Sequence, residues 1–131
     1  MPEAVNPPNV WQPFGPFSMA MVQGDGRIIH LKGQVALDRA GRIVGAGDMR
    51  AQLRQVLENI RAVLESMGGT MGDILSLVHY TTDIESFMKA GDVRRTFFTA
   101  PFPAGYARRW PSEPAMTVSR SFPSDLWTRK P

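Results

Sequence analysis

Apolar residues alternate with smaller or polar ones where the proline-free part of the chain begins. Phe17, Met19 and Met21 recur at every second position. A period of two is typical of a strand, because successive side chains of a strand point to opposite faces. The pattern therefore predicts a β-strand from Phe17 to Gln23.

Glycine-containing turns continue this β-pattern. The Gly-Asp-Gly stretch at 24–26 predicts a tight turn, since glycine tolerates the backbone angles that such turns need. Residues 27–37 then predict the returning partner strand. A second turn signal at 38–41 precedes a short predicted strand at 42–44.

A helical period replaces the alternation from Asp48 to Met67. Asp48 suits the N-cap position, because its carboxylate can accept hydrogen bonds from free amides of the first turn. The glycines at 68–69 predict the helix end. Apolar side chains at intervals of three or four form one stripe, which comprises Met49, Leu53, Val56, Leu57, Ile60, Val63, Leu64 and Met67.

The next two segments predict a central strand and a second helix. Residues 74–83 are rich in apolar and β-branched side chains, which favour a buried strand. Residues 83–100 predict a helix in which Gly91 is unfavourable by about 1 kcal/mol relative to alanine. Such a cost suggests that another chain or a ligand approaches closely at Gly91.

The prolines mark the two ends of the chain. All 11 lie at positions 2–16 or 101–131, where they disfavour regular structure. We expect an extended N-terminal segment at 1–14 and a proline-rich loop at 101–114. Residues 115–122 predict a strand, and residues 125–131 a short terminal one.

The order of these elements is β-β-(β)-α-β-α-β-β. It predicts an α+β fold in which one mixed sheet carries both helices on a single face. A length of 131 residues and a mass of 14.5 kDa are those of one domain. The other face of the sheet needs its own cover, which an oligomer interface could supply.

Composition excludes several classes of chemistry. The absence of cysteine excludes disulfides, thiol catalysis and cysteine-ligated zinc. His30 and His79 are the only histidines, without metal-ligand spacing, so we expect no metal and no cofactor. His79 is expected to be a packed, hydrogen-bonded side chain rather than a catalyst. No nucleophile-elbow, phosphate-loop or dinucleotide-binding motif occurs.

Two features of the sequence concern the location of the protein in the cell. No apolar run approaches the roughly 20 residues needed to cross a bilayer. The first 13 residues contain an acid and four prolines in place of the basic start and apolar core of a signal peptide. We therefore expect a cytoplasmic protein that has no membrane partner.

Charge is distributed unevenly along the chain. Residues 94–131 contain seven basic and two acidic residues, whereas residues 1–93 contain eight and ten. This asymmetry favours an anionic partner, unless the basic tail is merely solvated. Arginines interleaved with aromatic residues could stack on single-stranded RNA, although no RNA-binding signature accompanies them.

Short motifs between Gly15 and Phe98 form a longer pattern. They are Gly-Pro-aromatic-Ser at 15–18, GQVALDRAGRIVG at 33–45, AQLRQVLENI at 51–60, Gly-Asp-Ile at 72–74 and Phe-Phe at 97–98. This pattern resembles the Rid (YjgF/UK114) family of small enamine/imine deaminases. The resemblance implies a chorismate-mutase-like fold with a six-stranded mixed sheet. It also implies a homotrimer whose strands form a central barrel, with ligand clefts between neighbouring subunits.

The resemblance extends less well to the residues that the family uses. In the family, an arginine in a Pro-Ala-Arg motif binds the substrate carboxylate, and a glutamate on the last strand helps to position water. Here Met116 stands at the arginine position if EPAMTV is the match, and Gly105 does if FPAGY is. The terminal LWTRKP contains no acid, so no catalytic residue is assigned.

Substitutions at the other matched positions define a candidate site. Phe17 replaces the usual tyrosine, and Gly91 falls at an asparagine of the second helix. Lys32 replaces a serine and could bind a carboxylate as a point charge, or could instead lie in solvent at the cleft rim. Arg108 or Arg109 could also bind the carboxylate. The predicted substrate-binding residues are Phe17, Lys32, Gly33, Gly91, Arg108, Arg109, Met116 and Val118.

Two functions follow from the resemblance and a third from the basic tail. The first is hydrolysis of a small 2-imino or enamino acid with release of ammonia, at clefts between subunits. The second is a catalytically inactive trimer that binds a small carboxylate or imine ligand. RNA binding or cleavage through the basic tail is the less favoured third.

Overall fold

The N-terminal segment forms one strand of a small ribbon. The structure, a computed structural model, describes residues 2–109 and 117–120. Strand β1, Glu3–Val5, pairs antiparallel with β2, Ala20–Val22. The strand that the sequence predicts over 17–23 is thus shorter than expected. The ribbon fastens the start of the chain beside the residues around Phe17.

Helix α1, Met49–Ser66, confirms the helix that the sequence predicts most clearly. The Asp48 carboxylate accepts a hydrogen bond from the Ala51 amide at 3.1 Å, as expected for an N-cap. The helix ends at the predicted glycines, where the Gly69 amide donates to the Leu64 carbonyl at 2.8 Å. Its apolar stripe supplies much of the core, namely Leu53, Val56, Leu57, Ile60 and Leu64.

Strand β3, Ser76–Thr81, lies at the centre of a three-stranded mixed sheet. It pairs parallel with β4, Ala104–Arg109, and antiparallel with β5, Thr117–Arg120. Leu77 packs in the main core with the helices, whereas its neighbour Val78 packs in a separate cluster with Tyr80 and Val35. The helices therefore cover one face of this sheet, as predicted.

The predicted second helix is wrong as a single element. Residues of this segment form two short helices, α2, Ile84–Lys89, and α3, Gly91–Phe97, which meet at Ala90. The Asp83 carboxylate caps α2 by accepting from the Ser86 amide at 3.1 Å. Gly91 therefore starts a helix, where its cost is smaller than in a helix interior.

The prediction of a loop throughout 101–114 is also wrong, because β4 occupies Ala104–Arg109. Pro101 and Pro103 precede this strand and Pro111 follows it. The strand itself contains no proline, so none of the amides of β4 that face β3 is missing from the ladder. The predicted strand at 115–122 is confirmed over Thr117–Arg120.

The predicted strands at 27–37 and 42–44 do not form regular strands. An isolated bridge joins Leu37 to Ile43. Ile28 and Ile29 are adjacent and both exposed, so this stretch lacks the burial and the cross-strand pairs that stabilise a strand. The six-stranded sheet and the trimeric barrel therefore remain predictions.

Candidate functional site

An apolar cleft of about 560 Å³ lies between the N-terminal segment and the start of β4. Phe17 and Gly105 are both part of its wall. Phe17 belongs to the Gly-Pro-aromatic-Ser motif, and Gly105 to FPAGY, one of the two stretches that could match the family's Pro-Ala-Arg motif. The remaining wall is largely apolar and includes Val5, Val10, Trp11, Met19 and Ala20.

Hydrogen bonds of Ser18 join the two sides of this cleft. Its hydroxyl donates to the carbonyl of Phe102, and its amide donates to the carbonyl of Pro103 at 3.1 Å. Ser18 is buried, so this connection is protected from water. On the other side, the Met19 amide donates to the Asn6 side-chain oxygen at 2.8 Å. The motif serine thus has a structural role that holds Phe17 beside β4.

Three aromatic rings cluster beside the cleft, and two of them, Trp11 and Phe17, form part of its wall. Trp11 stacks on Phe14 with ring centroids 5.9 Å apart and lies 6.0 Å from Phe17, in a tilted arrangement. Phe14 meets Phe17 edge to face at 5.2 Å. Such pairs fix ring positions without polar contacts. Trp11 is 62% exposed and Phe14 75%, so much of this aromatic surface remains accessible.

Gly105 cannot carry a side chain in this fold. Its φ is +149°, and a β-carbon there would lie 1.8 Å from the carbonyl oxygen of Leu77 on β3. That separation is far below any van der Waals contact. If FPAGY is the match to the family's Pro-Ala-Arg motif, no residue at 105 can take over the role of the arginine.

Arg108 and Val118 lie on either side of Tyr80 in the sheet. In the strand register, Tyr80 is opposite Arg108 on β4 and opposite Val118 on β5. Arg108 is exposed, whereas Tyr80 is buried against Val35 and Val78. Arg109 is the last residue of β4, opposite Thr81. Two predicted site residues are thus brought to one row of the sheet, together with a tyrosine that sequence inspection did not single out.

Lys32 and Gly33 precede the residue that packs against this row. Lys32 is exposed, and its carbonyl accepts a hydrogen bond from the Gln34 side-chain amide at 3.2 Å. Gly33 is buried. Val35, two residues further on, lies in the cluster with Val78 and Tyr80. Neither Lys32 nor Gly33 lines the Phe17–Gly105 cleft.

Gly91 is separated from these residues within one chain. It starts α3, whose Arg94 contacts His79, and His79 alternates along β3 with Val78 and Tyr80. A β-carbon at Gly91 would meet nothing within 4 Å, so no close approach inside the chain explains the glycine. The other predicted site residue, Met116, lies outside the described residues.

His79 and Arg94 form a buried polar pair beneath the helices. An Arg94 terminal nitrogen donates to Nε2 of His79 at 2.9 Å, and the imidazole packs 4.9 Å from the ring of Phe87. Burial, and then the nearby guanidinium, hold the pKa of His79 well below its usual range. Burial also lowers the pKa of Arg94 to about 10. The packed, hydrogen-bonded role expected for His79 is confirmed.

The same pair limits the predicted RNA surface. Arg94 is mostly buried, and its guanidinium lies 5.4 Å from the ring centre of the buried Phe98. Neither Arg94 nor Phe98 can stack on a base unless the core opens. Arg108 remains an exposed cation of that predicted surface.

A second groove, of about 450 Å³, lies between residues 23–31 and the C-terminal half of α1. Ile60, Leu64 and Met67 form one wall. None of the predicted substrate-binding residues lines it, so it is not the candidate site. Within residues 2–109 and 117–120, no group of three or more histidines or acids could hold a metal ion. No helix in this part of the chain is long and apolar enough to span a bilayer.

The sequence did not identify Trp11 as a site residue, and it indicated Gly105 only as one possible match to the family's arginine. Trp11 lies in a proline-rich stretch that resembles a linker, and its signal is only its spacing from the aromatic residues at 14 and 17. The role of Gly105 depends on the closeness of Leu77, which is distant in sequence. The restriction at Gly105 is a long-range property that a local pattern cannot contain, whereas the aromatic contacts of Trp11 are local.

Comparisons with known proteins agree with this architecture. The family model described as endoribonuclease L-PSP matches residues 8–119. A RutC family protein of Pyrococcus horikoshii is 36% identical over 108 residues, which are 82% of this chain and 83% of that protein. A 2-iminobutanoate/2-iminopropanoate deaminase of Dermatophagoides farinae is 30% identical over 100 residues, 76% of this chain and 77% of that protein.

A solved structure supports the same assignment. A Rid-family protein of unknown function from Yersinia pestis superposes with a TM-score of 0.73 at 27% identity, over 92% of this chain and 98% of the other. The sequence motifs, the α+β architecture, the family match and these relatives all agree. The chain belongs to the Rid family.

Proposed function

We propose that this protein is an enamine/imine deaminase. It hydrolyses a 2-imino or enamino acid to the 2-oxo acid and ammonia, in clefts completed by neighbouring copies of a homotrimer. Membership of the Rid family supports this, as does the similarity to the deaminase of Dermatophagoides farinae. The observation that carries the proposal is the single cleft that joins Phe17 to Gly105.

The carboxylate of the substrate needs a cation that Gly105 cannot supply. Arg108 takes this role in our proposal, because it is an exposed cation of the described residues and one of the predicted site residues. Its planar guanidinium can hold a carboxylate through two parallel hydrogen bonds. Lys32 and Arg109 are the alternative cations, and Lys32 would act as a point charge without that fork.

The reaction itself requires only water and correctly placed donors. Water adds to the imine carbon, the carbon–nitrogen bond breaks, and the protonated nitrogen leaves as ammonia while the carbon becomes a carbonyl. We assign backbone amides near Gly33 and Val118 of a neighbouring copy as donors to the charge that develops during addition, because neither residue lines the Phe17–Gly105 cleft of the same chain. Phe17 has no hydroxyl, so in this proposal it supplies an apolar wall and no proton.

Exposed apolar side chains support self-association. Val22, Ile28 and Ile29 follow one another along the N-terminal third and are all exposed. Such surface is typical of a face that another subunit covers. A homotrimer predicts a mass in light scattering three times the 14.5 kDa of one chain. A monomer at micromolar concentration would exclude a site that requires neighbouring copies.

Ammonia release tests the activity directly. The imine is generated in the cuvette by an amino-acid oxidase with catalase present, and its decay is followed with and without the protein. The proposal predicts faster decay, matched by ammonia and 2-oxo acid in equal amounts. Decay at the uncatalysed rate with every imine tested would refute the proposed activity.

One observation favours a second candidate, a trimer that binds a small carboxylate without turnover. Gly105 excludes any side chain at one of the two positions that could match the family's arginine. This alternative predicts that a stable 2-oxo acid raises the melting temperature while imine decay is unchanged. Accelerated imine decay would exclude it.

A further inference from the structure

We propose that the preferred substrate carries an aromatic or large branched apolar side chain, and that Trp11 selects it. This inference rests on the proposed function, because it assigns the side chain of the imine to the same Phe17–Gly105 cleft. It concerns which imine is used, whereas the proposed function concerns the reaction. Trp11 would be a specificity-determining residue that touches the substrate away from the reacting carbon.

The chemistry of the cleft wall is the first reason. Among the described residues, no charged side chain lines it. Its one polar side chain, Ser18, is buried and donates its hydroxyl to the carbonyl of Phe102. A hydrophilic substituent would therefore lose its hydrogen bonds to water without replacement, whereas an apolar one loses nothing.

The size of the cleft is the second reason. Its volume of about 560 Å³ falls in the range that proteins use for ligands much larger than an imine with a methyl substituent. A small imine would leave most of this volume to water.

The aromatic cluster is the third reason. Trp11 is held by stacking on Phe14 and by its tilted contact with Phe17, so its ring is positioned before any ligand arrives. More than half of its surface is still exposed. A preordered and accessible indole favours a flat apolar group, through stacking and through the area that it removes from water.

The kinetic test compares two imines that differ only in the side chain. A D-amino-acid oxidase releases them from D-phenylalanine and D-alanine, and kcat and KM are measured for each. We expect a kcat/KM about tenfold or more higher for the aromatic imine, a ratio that hydrophobic pockets achieve. In Trp11→Ala this preference should fall about tenfold, mainly through KM, while Trp11→Phe keeps most of it. Met88→Ala, an exposed apolar residue outside the cleft, is the matched control.

Equal kcat/KM for the two imines, or a preference that survives in Trp11→Ala, would overturn the inference while leaving the deaminase activity intact. If neither imine is hydrolysed, the proposed function fails and binding decides the inference separately. NMR titration with 3-phenylpropanoate and propanoate then measures Kd for the wild type and Trp11→Ala. About tenfold tighter binding of the aromatic acid, lost in Trp11→Ala, supports the inference, and equal binding refutes it.

Discussion

The two sides of strand β3 differ in how their polar groups are used. On the helix side, His79 is only 1% exposed and its hydrogen bond to Arg94 is enclosed by the core. On the other side, the described residues Val35, Val78 and Tyr80 form a small buried cluster, and Arg108 in the Tyr80 row is exposed. One arginine thus stabilises the fold and the other is available to a ligand. Position in the fold, and not residue type, separates the two roles: Arg94 lies on α3 against the core, and Arg108 lies on β4.

The largest expected effect is on the helix side, in the core of α1. Leu57 is fully buried there, so Leu57→Ala should lower the free energy of unfolding by about 2–5 kcal/mol through lost burial and a cavity. Val63→Ala on the same helix, at 37% exposure, should cost less than about 1 kcal/mol. Urea denaturation measures both. Equal losses would mean that the helix side is not the stable core described.

Matched substitutions test whether Arg94 and Arg108 have separate roles. Arg94→Met leaves Nε2 of His79 without its donor, so it should cost about 1–3 kcal/mol of unfolding free energy. It should leave kcat/KM for imine hydrolysis within about twofold. Arg108→Met should lower kcat/KM about 10- to 100-fold, the value of a hydrogen-bonded charge, and should hardly change stability. Reversed effects would contradict the division of roles.

Acid should weaken the helix side specifically. Because burial lowers the pKa of His79, the unfolded chain takes up a proton below about pH 6.5 that the folded chain does not. Stability is therefore complete above that pH and falls as the pH drops, by at most about 1.4 kcal/mol per pH unit for one proton. Urea unfolding at pH 7.5, 6.5 and 5.5 measures the slope.

The two histidines provide the control for that experiment. His79→Gln should remove most of the loss between pH 7.5 and 5.5, whereas His30→Gln, at an exposed position, should leave it unchanged. An unchanged slope in His79→Gln would show that other groups cause the acid sensitivity.

The smallest effect is expected at the surface of the helical layer. Arg50 forms an exposed, bidentate ion pair with Asp92. The hydrogen bond from Arg50 lowers the pKa of Asp92 to about 2. In Arg50→Ala this pKa should rise toward 3.8, the ordinary value for aspartate. The melting temperature should hardly change, because exposed pairs contribute little. Carboxyl NMR shifts follow the titration, and an unmoved pKa would contradict the pairing.

The accuracy of the sequence predictions follows the range of the interactions. Helix α1 is predictable because its cap, stripe and final glycines lie within 22 residues, Asp48 to Gly69. Strand β4 is not, because its partner β3 lies more than 20 residues earlier and the flanking prolines suggest a loop. The break at Ala90 has no stronger signal than the following glycine.

The candidate site shows the same limit. The motif containing Phe17 is recognisable from sequence, but its position depends on hydrogen bonds from Ser18 to Phe102 and Pro103, 84 or more residues away. The steric exclusion at Gly105 likewise appears only when distant segments are brought together, whereas Trp11 contacts aromatic rings within six residues of it. Residue identity predicts the available chemistry, whereas the cleft arises from the packing.

A crystal structure of the protein with 3-phenylpropanoate tests the central claim most directly. We predict that the carboxylate binds Arg108 and that the phenyl ring lies in the Phe17–Gly105 cleft beside Trp11. Binding in the groove between residues 23–31 and α1 would contradict this account, as would a cleft closed by the side chains of a neighbouring copy.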